Sequence, residues 1–239
     1  MVRVNSVVVG LGEVGSAVRD VLSEKYAVHG VDIATEITFD ECEYLNICIP
    51  YSDRFVEIVN NYVDKFKPIL TVIHSTVLPG ITRKINGQAV FSPIRGRHQE
   101  GLEYGLKTYV KYIGYNGEEE GELAKKYLGK VFLKTKIIEN TNKTELMKIL
   151  CLLRYGLHLE IADLMNDICK DYKFDYKTIV KEWDGNYNEG IKRKHLEMQR
   201  PIYDPPNNRI GGHCVIPVVR LFAKNYRSEY IDRFLDRYG

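Results

Sequence analysis

The chain has 239 residues, 44% of them hydrophobic and 28% charged, with 34 Lys and Arg against 32 Asp and Glu. That is the balance of a soluble, folded protein; it excludes disorder and, with a pI near 8.1, a nucleic-acid binder that relies on a broad basic surface. Five cysteines, odd in number and without metal-ligand spacing, suggest neither a disulfide framework nor a zinc site, so no metal is expected and a reducing cytoplasm fits.

In chain order, MVRVNSVVVG enters a strand pattern with no long apolar segment, so neither a signal peptide nor a membrane span is expected. SVVVG, Ser6 to Gly10, is a β-branched run ending in glycine, and LGEVGSAVRDVLSEKY follows with apolar residues at helical spacing. AVHGVDI (27–33), YLNICIP (44–50) and ILTVIHS (69–75) read as further strands, with the helical SDRFVEIVNNYVDKF between the last two. Strands alternating with helices imply a parallel sheet. QAVFSP (88–93) and TYVKYIG (108–114) extend it, EEEGELAKKYLG is another helix, and VFLKTK another strand.

From Thr141 the pattern changes to some thirty residues without proline, rich in Leu, Met, Lys and Glu, with Gly156 the only breaker. One long helix, Thr141 to Tyr172, is the economical reading. A shorter helix follows within Asp175 to Tyr187, ending near Trp183. The basic run Lys192-Arg193-Lys194 is a solvated face, and Pro201 to Asn208, with three prolines, is loop. The division falls near residue 140, giving an α/β domain over 1–140 and a helical domain over 141–239.

Gly10, Gly12 and Gly15 spell G-x-G-x-x-G between a strand and a helix, and Asp32 stands at the end of the next strand, 22 residues after Gly10. In that setting the first glycine makes the turn, the second admits a pyrophosphate and the third lets helix and strand pack, while the helix amino terminus attracts the phosphates. This is a Rossmann-type, doubly wound sheet. Asp32 suits a ribose hydroxyl, and Ile33-Ala34-Thr35 offers no arginine for a 2′-phosphate, so NAD is favoured over NADP.

GLGEVG, STVLPG (75–80), SPIRG (92–96), TELMK (144–148) and GGHC (211–214), in that order, resemble the UDP-glucose/GDP-mannose dehydrogenases. The resemblance implies oxidation of a sugar-nucleotide alcohol by two hydride transfers to NAD, through a thiohemiacetal and a thioester on Cys214. It makes Lys148 a stabiliser of charge on the reacting oxygen and Thr76 a holder of water or cofactor. The cofactor would meet Gly10, Gly12, Glu13, Val14, Gly15, Asp32, Pro50, Ser75 and Thr76. Substrate contacts would come from Arg95, Arg97, His98, Arg209, Gly211, Gly212 and His213. Glycines flanking Cys214 allow the close backbone approach that thiolate attack on an aldehyde needs.

The departures are as specific. The family asparagine four residues after the lysine is Leu152 here, its acid four after the cysteine is Val218, and the acid of its Ser-Pro-Glu is Ile94. Losing an oxyanion donor costs ~10²–10³ in rate and an acid–base group ~10²–10⁴, so hydrolysis of a thioester would suffer most. The family's third, carboxy-terminal nucleotide-gripping domain has no counterpart, so a smaller substrate is an alternative. A non-catalytic NAD-binding module and a two-electron dehydrogenase of a smaller hydroxy acid stay open. Leu146, Ile149, Leu150, Leu153, Leu157, Ile161, Leu164 and Ile168 place apolar residues on more than one face of the long helix. A homodimer built on it is expected, with a small-molecule substrate and no nucleic-acid or membrane partner.

Overall fold

The computed structural model describes residues 3–96, 101–191, 194–210 and 214–239. The chain forms two compact units, Met1–Lys148 and Ile149–Gly239.

The first unit runs β1 (Arg3–Val9), α1 (Glu13–Leu22), β2 (Val28–Val31), β3 (Glu41–Ile47), α2 (Phe55–Phe66), β4 (Leu70–Ile73), β5 (Ala89–Phe91), α3 (Leu102–Thr108), β6 (Lys111–Tyr115), α4 (Glu118–Leu128) and β7 (Thr135–Glu139). The seven strands lie in the order β2-β1-β3-β4-β5-β6-β7. β1 pairs in parallel with β2 and β3, β3 with β4, β4 with β5, and β6 with β7. The end of β1 and all of β4 are buried, because a parallel strand covered by helices on both faces must be apolar throughout. Residues of one sheet face, among them Val8, Val72, Val90 and Ile113, form a core with Ala17, Val18 and Val21 of α1, Leu102 and Leu106 of α3, and Ala124, Tyr127 and Leu128 of α4.

α5 (Thr141–Asp171) crosses from the first unit into the second. The second unit continues with a π-helical stretch, Lys177–Glu182, running into α6 (Trp183–Ile191), then α7 (Val215–Ala223) and α8 (Glu229–Tyr238). Its core gathers Ile210, Val215, Ile216, Val219, Ala223, Ile231 and Phe234, with Leu153 and Leu157 of α5 packed on them. Gly156 is no breaker there. A β-carbon on it would come within 2.7 Å of Val215 and 2.9 Å of Phe234, so its missing side chain is what lets α7 and α8 approach α5.

Three expectations change. The sheet is not wholly parallel, since β5 and β6 pair antiparallel at Phe91 and Gly114. The strand expected at VFLKTK starts only at Thr135: Val131 and Phe132 turn back onto the Leu128 carbonyl, at 3.0 and 2.9 Å, and Phe132 fills the core. The helix expected to end near Trp183 runs on through Ile191. Among the described residues no helix is long and apolar enough to cross a membrane.

Candidate functional site

The glycine turn joins β1 to α1. Gly10 has φ of 87°, open to glycine, and a β-carbon there would press on Ile49 and the Cys48 carbonyl. On Gly15 a β-carbon would collide with the Gly10 carbonyl, whereas on Gly12 it would meet nothing within 4 Å. The turn is therefore closed on the protein side at its first and third glycines and open to solvent at its second, where a pyrophosphate would approach the first amides of α1. Asp32, just past β2, accepts from the Leu11 amide at 2.7 Å and from Ile33 at 2.8 Å. These two backbone donors hold its carboxyl below the usual range. It stays anionic beside the turn. Glu13 and Pro50 are exposed, and Val14 is half-buried on α1.

Ser75, at the end of β4, donates to the Ile49 carbonyl at 2.6 Å and so fixes the segment that carries Pro50. Thr76 follows, half-buried. The rest of STVLPG is pinned by a residue the sequence reading did not single out. Glu145 of α5, fully buried, accepts from the Gly80 amide at 2.6 Å, the Thr82 amide at 2.9 Å and the Thr82 hydroxyl at 2.6 Å. One turn on along α5, Lys148 donates to the Ile94 carbonyl at 2.9 Å. TELMK thus ties both STVLPG and SPIRG to the start of the long helix. Glu145, three residues before Lys148, was visible in that motif; only its partners were not. The Ile94 side chain lies in the core, so no acid occupies the place the family pattern gives to Glu. Arg95 is exposed and stacks over Tyr109 and Tyr112, 5.3 and 5.7 Å from their centroids.

Beneath these loops runs a buried polar chain that strand patterns could not reveal. Tyr127 and Ser6 share a hydrogen bond of 2.8 Å, Asn46 reaches both at 3.0 Å, and His74 Nε2 lies 3.2 Å from Asn46 Oδ1. His74 Nδ1 sits 2.8 Å from the Ser92 carbonyl and 3.3 Å from Lys111 Nζ. Burial, reinforced by Lys111, lowers the His74 pKa well below its ordinary range. Burial, with repulsion from Lys148, brings Lys111 to about 7. Cys48 is pushed by burial up to about 12, so it packs as a thiol.

Cys214 and Arg209 belong to the second unit. Cys214 is half-buried and directly precedes α7, while Arg209 is exposed after a turn in which Asn207 and Asn208 take left-handed φ of 52° and 61°. The Asn208 amide donates to Asp163 at 2.9 Å, and Ile210 and Val215, on either side of GGHC, are both in the core of that unit. Arg97, His98, Gly211, Gly212 and His213 lie outside the described residues.

No family model and no curated protein matches the chain by sequence. Solved structures match by fold. A UDP-D-ManNAc dehydrogenase from Pyrococcus horikoshii superposes with a TM-score of 0.74 at 17% identity, over 98% of this chain and 68% of that one. A 3-hydroxyisobutyrate dehydrogenase from Mycobacterium tuberculosis gives 0.68 at 14%, over 99% and 92%. A UDP-glucose dehydrogenase from Pyrobaculum islandicum gives 0.68 at 14%, over 98% and 68%. The fold is that of these dehydrogenases.

Proposed function

We propose that this chain is an NAD-dependent oxidoreductase acting on a sugar nucleotide or a related hydroxylated substrate, with Cys214 as nucleophile. The observation that carries the reading is the glycine turn, open only at Gly12, with the anionic Asp32 bonded to its Leu11 amide. In this reading the amides following Gly10 and Gly12 bind the pyrophosphate, Asp32 binds a ribose hydroxyl, and Pro50, Ser75 and Thr76 flank the cofactor. NAD, when bound, accepts hydride. Lys148 opposes negative charge on the reacting oxygen. The Cys214 sulfur adds to the aldehyde left by a first hydride transfer, the adduct gives its hydride to a second molecule of NAD to leave a thioester, and water adds to the thioester carbonyl, releasing the acid and the free thiol. Arg95 and Arg209 offer charge to an anionic substrate.

Leu152, Val218 and Ile94 weaken the last step in particular, because groups that would orient water or an oxyanion are apolar at those positions. The resemblance carried by GLGEVG, STVLPG, SPIRG, TELMK and GGHC supports the sugar-nucleotide reading. The match to 92% of the 3-hydroxyisobutyrate dehydrogenase supports a second: a smaller hydroxy acid, oxidised by two electrons without use of Cys214. The preference for NAD over NADP rests on Asp32 and the absence of arginine at 33–35. We further propose a cytoplasmic homodimer through residues 141–172. Calorimetric titration with NAD+ and NADP+ tests the cofactor claim: tighter binding of NAD+ is expected, and equal or reversed affinity overturns it. NADH formation across UDP-sugars, GDP-sugars and simple hydroxy acids distinguishes the two substrate readings.

A further inference from the structure

Lys111 begins β6 fully buried, a position lysine almost never takes without partners. Its Nζ lies 2.9 Å from the Ser92 carbonyl, 3.2 Å from that of Pro93 and 3.3 Å from His74 Nδ1. An ammonium has three donors, and two of them meet the Ser92 and Pro93 carbonyls; the Ser92 carbonyl, which can only accept, also takes a hydrogen bond from His74 Nδ1 at 2.8 Å, so the ring proton sits on Nδ1. Among the described residues, the groups that face Lys111 are His74 just past β4, Cys48 beyond β3, Lys148 of α5 and the Phe132 ring at 5.4 Å. None of these is a carboxylate, so the carbonyls are what the charge is held against. The next carbonyl along the chain, Ile94, accepts from Lys148. Two lysines on separate elements thus hold three successive carbonyls, 92 to 94.

We propose that Lys111 is a positioning residue: by fixing the Ser92 and Pro93 carbonyls from beneath, it presents the Ile94 carbonyl that orients Lys148. The catalytic meaning of this rests on the reading of Lys148 as the group facing substrate. The clamp is proton-linked. A neutral amine still donates to two carbonyls and turns its lone pair toward the His74 Nδ1–H, at which the ammonium would point a third N–H. Burial and the like charge of Lys148 bring the loss of that proton near neutral pH.

Hydrogen exchange and acetylation by acetic anhydride, both read by mass spectrometry on the full chain, test this without requiring turnover. In Lys111→Met, exchange over residues 92–96 and acetylation of Lys148 should each rise at least about tenfold, while the amides of β1 and β4 keep their protection. Unchanged exchange, or a uniform rise across the sheet, would show that Lys111 only fills the core. Should Lys111→Met fail to fold, the wild-type protein decides: protection at 92–96, corrected for intrinsic rate, should rise between about pH 6 and pH 9, because the opened segment hydrates a charged Lys111 while the clamped one favours the neutral amine, and constancy or a fall overturns the proposal. Failure to bind NAD would remove the functional reading and leave these outcomes untouched.

Discussion

Gly12 and Gly15 stand three residues apart in one turn, yet the space around them is opposite. A β-carbon on Gly15 collides with the Gly10 carbonyl, and one on Gly12 touches nothing. Gly15→Ala should therefore destabilise the fold by about 2–4 kcal/mol, as a backbone clash in a packed turn does. Gly12→Ala should leave the melting temperature unchanged but lower NAD+ affinity at least about tenfold. Calorimetry and thermal unfolding of the pair separate a packing glycine from a binding one; equal loss of stability in both would refute the assignment of Gly12. Glu145 gives a second test. Its carboxylate answers two amides and a hydroxyl while fully buried, and removal leaves those donors unpaired. Glu145→Ala should cost about 3 kcal/mol in urea unfolding, and a loss under about 1 kcal/mol would show that the STVLPG turn does not depend on it.

At the scale of elements, the buried ends of β4 and β6 make stability depend on pH in a defined direction. Lys111 sits near 7 in the folded chain against an ordinary 10.5, so between these values the unfolded chain holds a proton that the folded chain lacks, and stability rises with pH. His74, also lowered, adds the same sign below its ordinary 6.5. Cys42 and Cys48, raised to about 12 from 9.0, oppose this only once unfolded thiols ionise. The urea midpoint should therefore climb between about pH 6 and pH 8.5, by an equivalent of about 1–3 kcal/mol, and Lys111→Met should flatten the climb. A falling midpoint over that range would contradict the placement of Lys111. These elements also show what a linear reading can reach. β1, the glycine turn, α1 and the limits of α5 were legible, because local period and turn chemistry decide them. Val131 and Phe132 misled because their apolar side chains plug the core from a turn rather than extend a strand. Lys111 and Glu145 remained illegible as site residues because their partners lie 19 and 63 positions away, a distance no sequence period encodes. The antiparallel β6 was equally hidden, since pairing direction depends on the crossover through α3, which the chain pattern did not announce.

For the whole molecule, α5 leaves Leu146, Leu150, Ile161, Leu164 and Ile168 exposed, whereas Ile149 is buried and Leu153 and Leu157 pack on the second unit's core. A stripe of that spacing along one helix is what a second copy would cover. Leu150→Glu with Leu164→Glu should turn a dimer into a monomer by light scattering, and a wild-type monomer at micromolar concentration would remove the assembly. In the proposed reaction this fold transfers hydride from a hydroxylated substrate to NAD with Cys214 holding the carbon skeleton. Rapid-mixing measurement of NADH absorbance with an accepted UDP- or GDP-sugar, paired with intact mass, addresses it most directly. A burst of about one or two NADH per active site is expected, with slow turnover afterwards and a covalent adduct that Cys214→Ser abolishes while NAD+ binding persists. Turnover and adduct formation unaltered in Cys214→Ser would contradict it, leaving Cys214 as a packing residue at the start of α7.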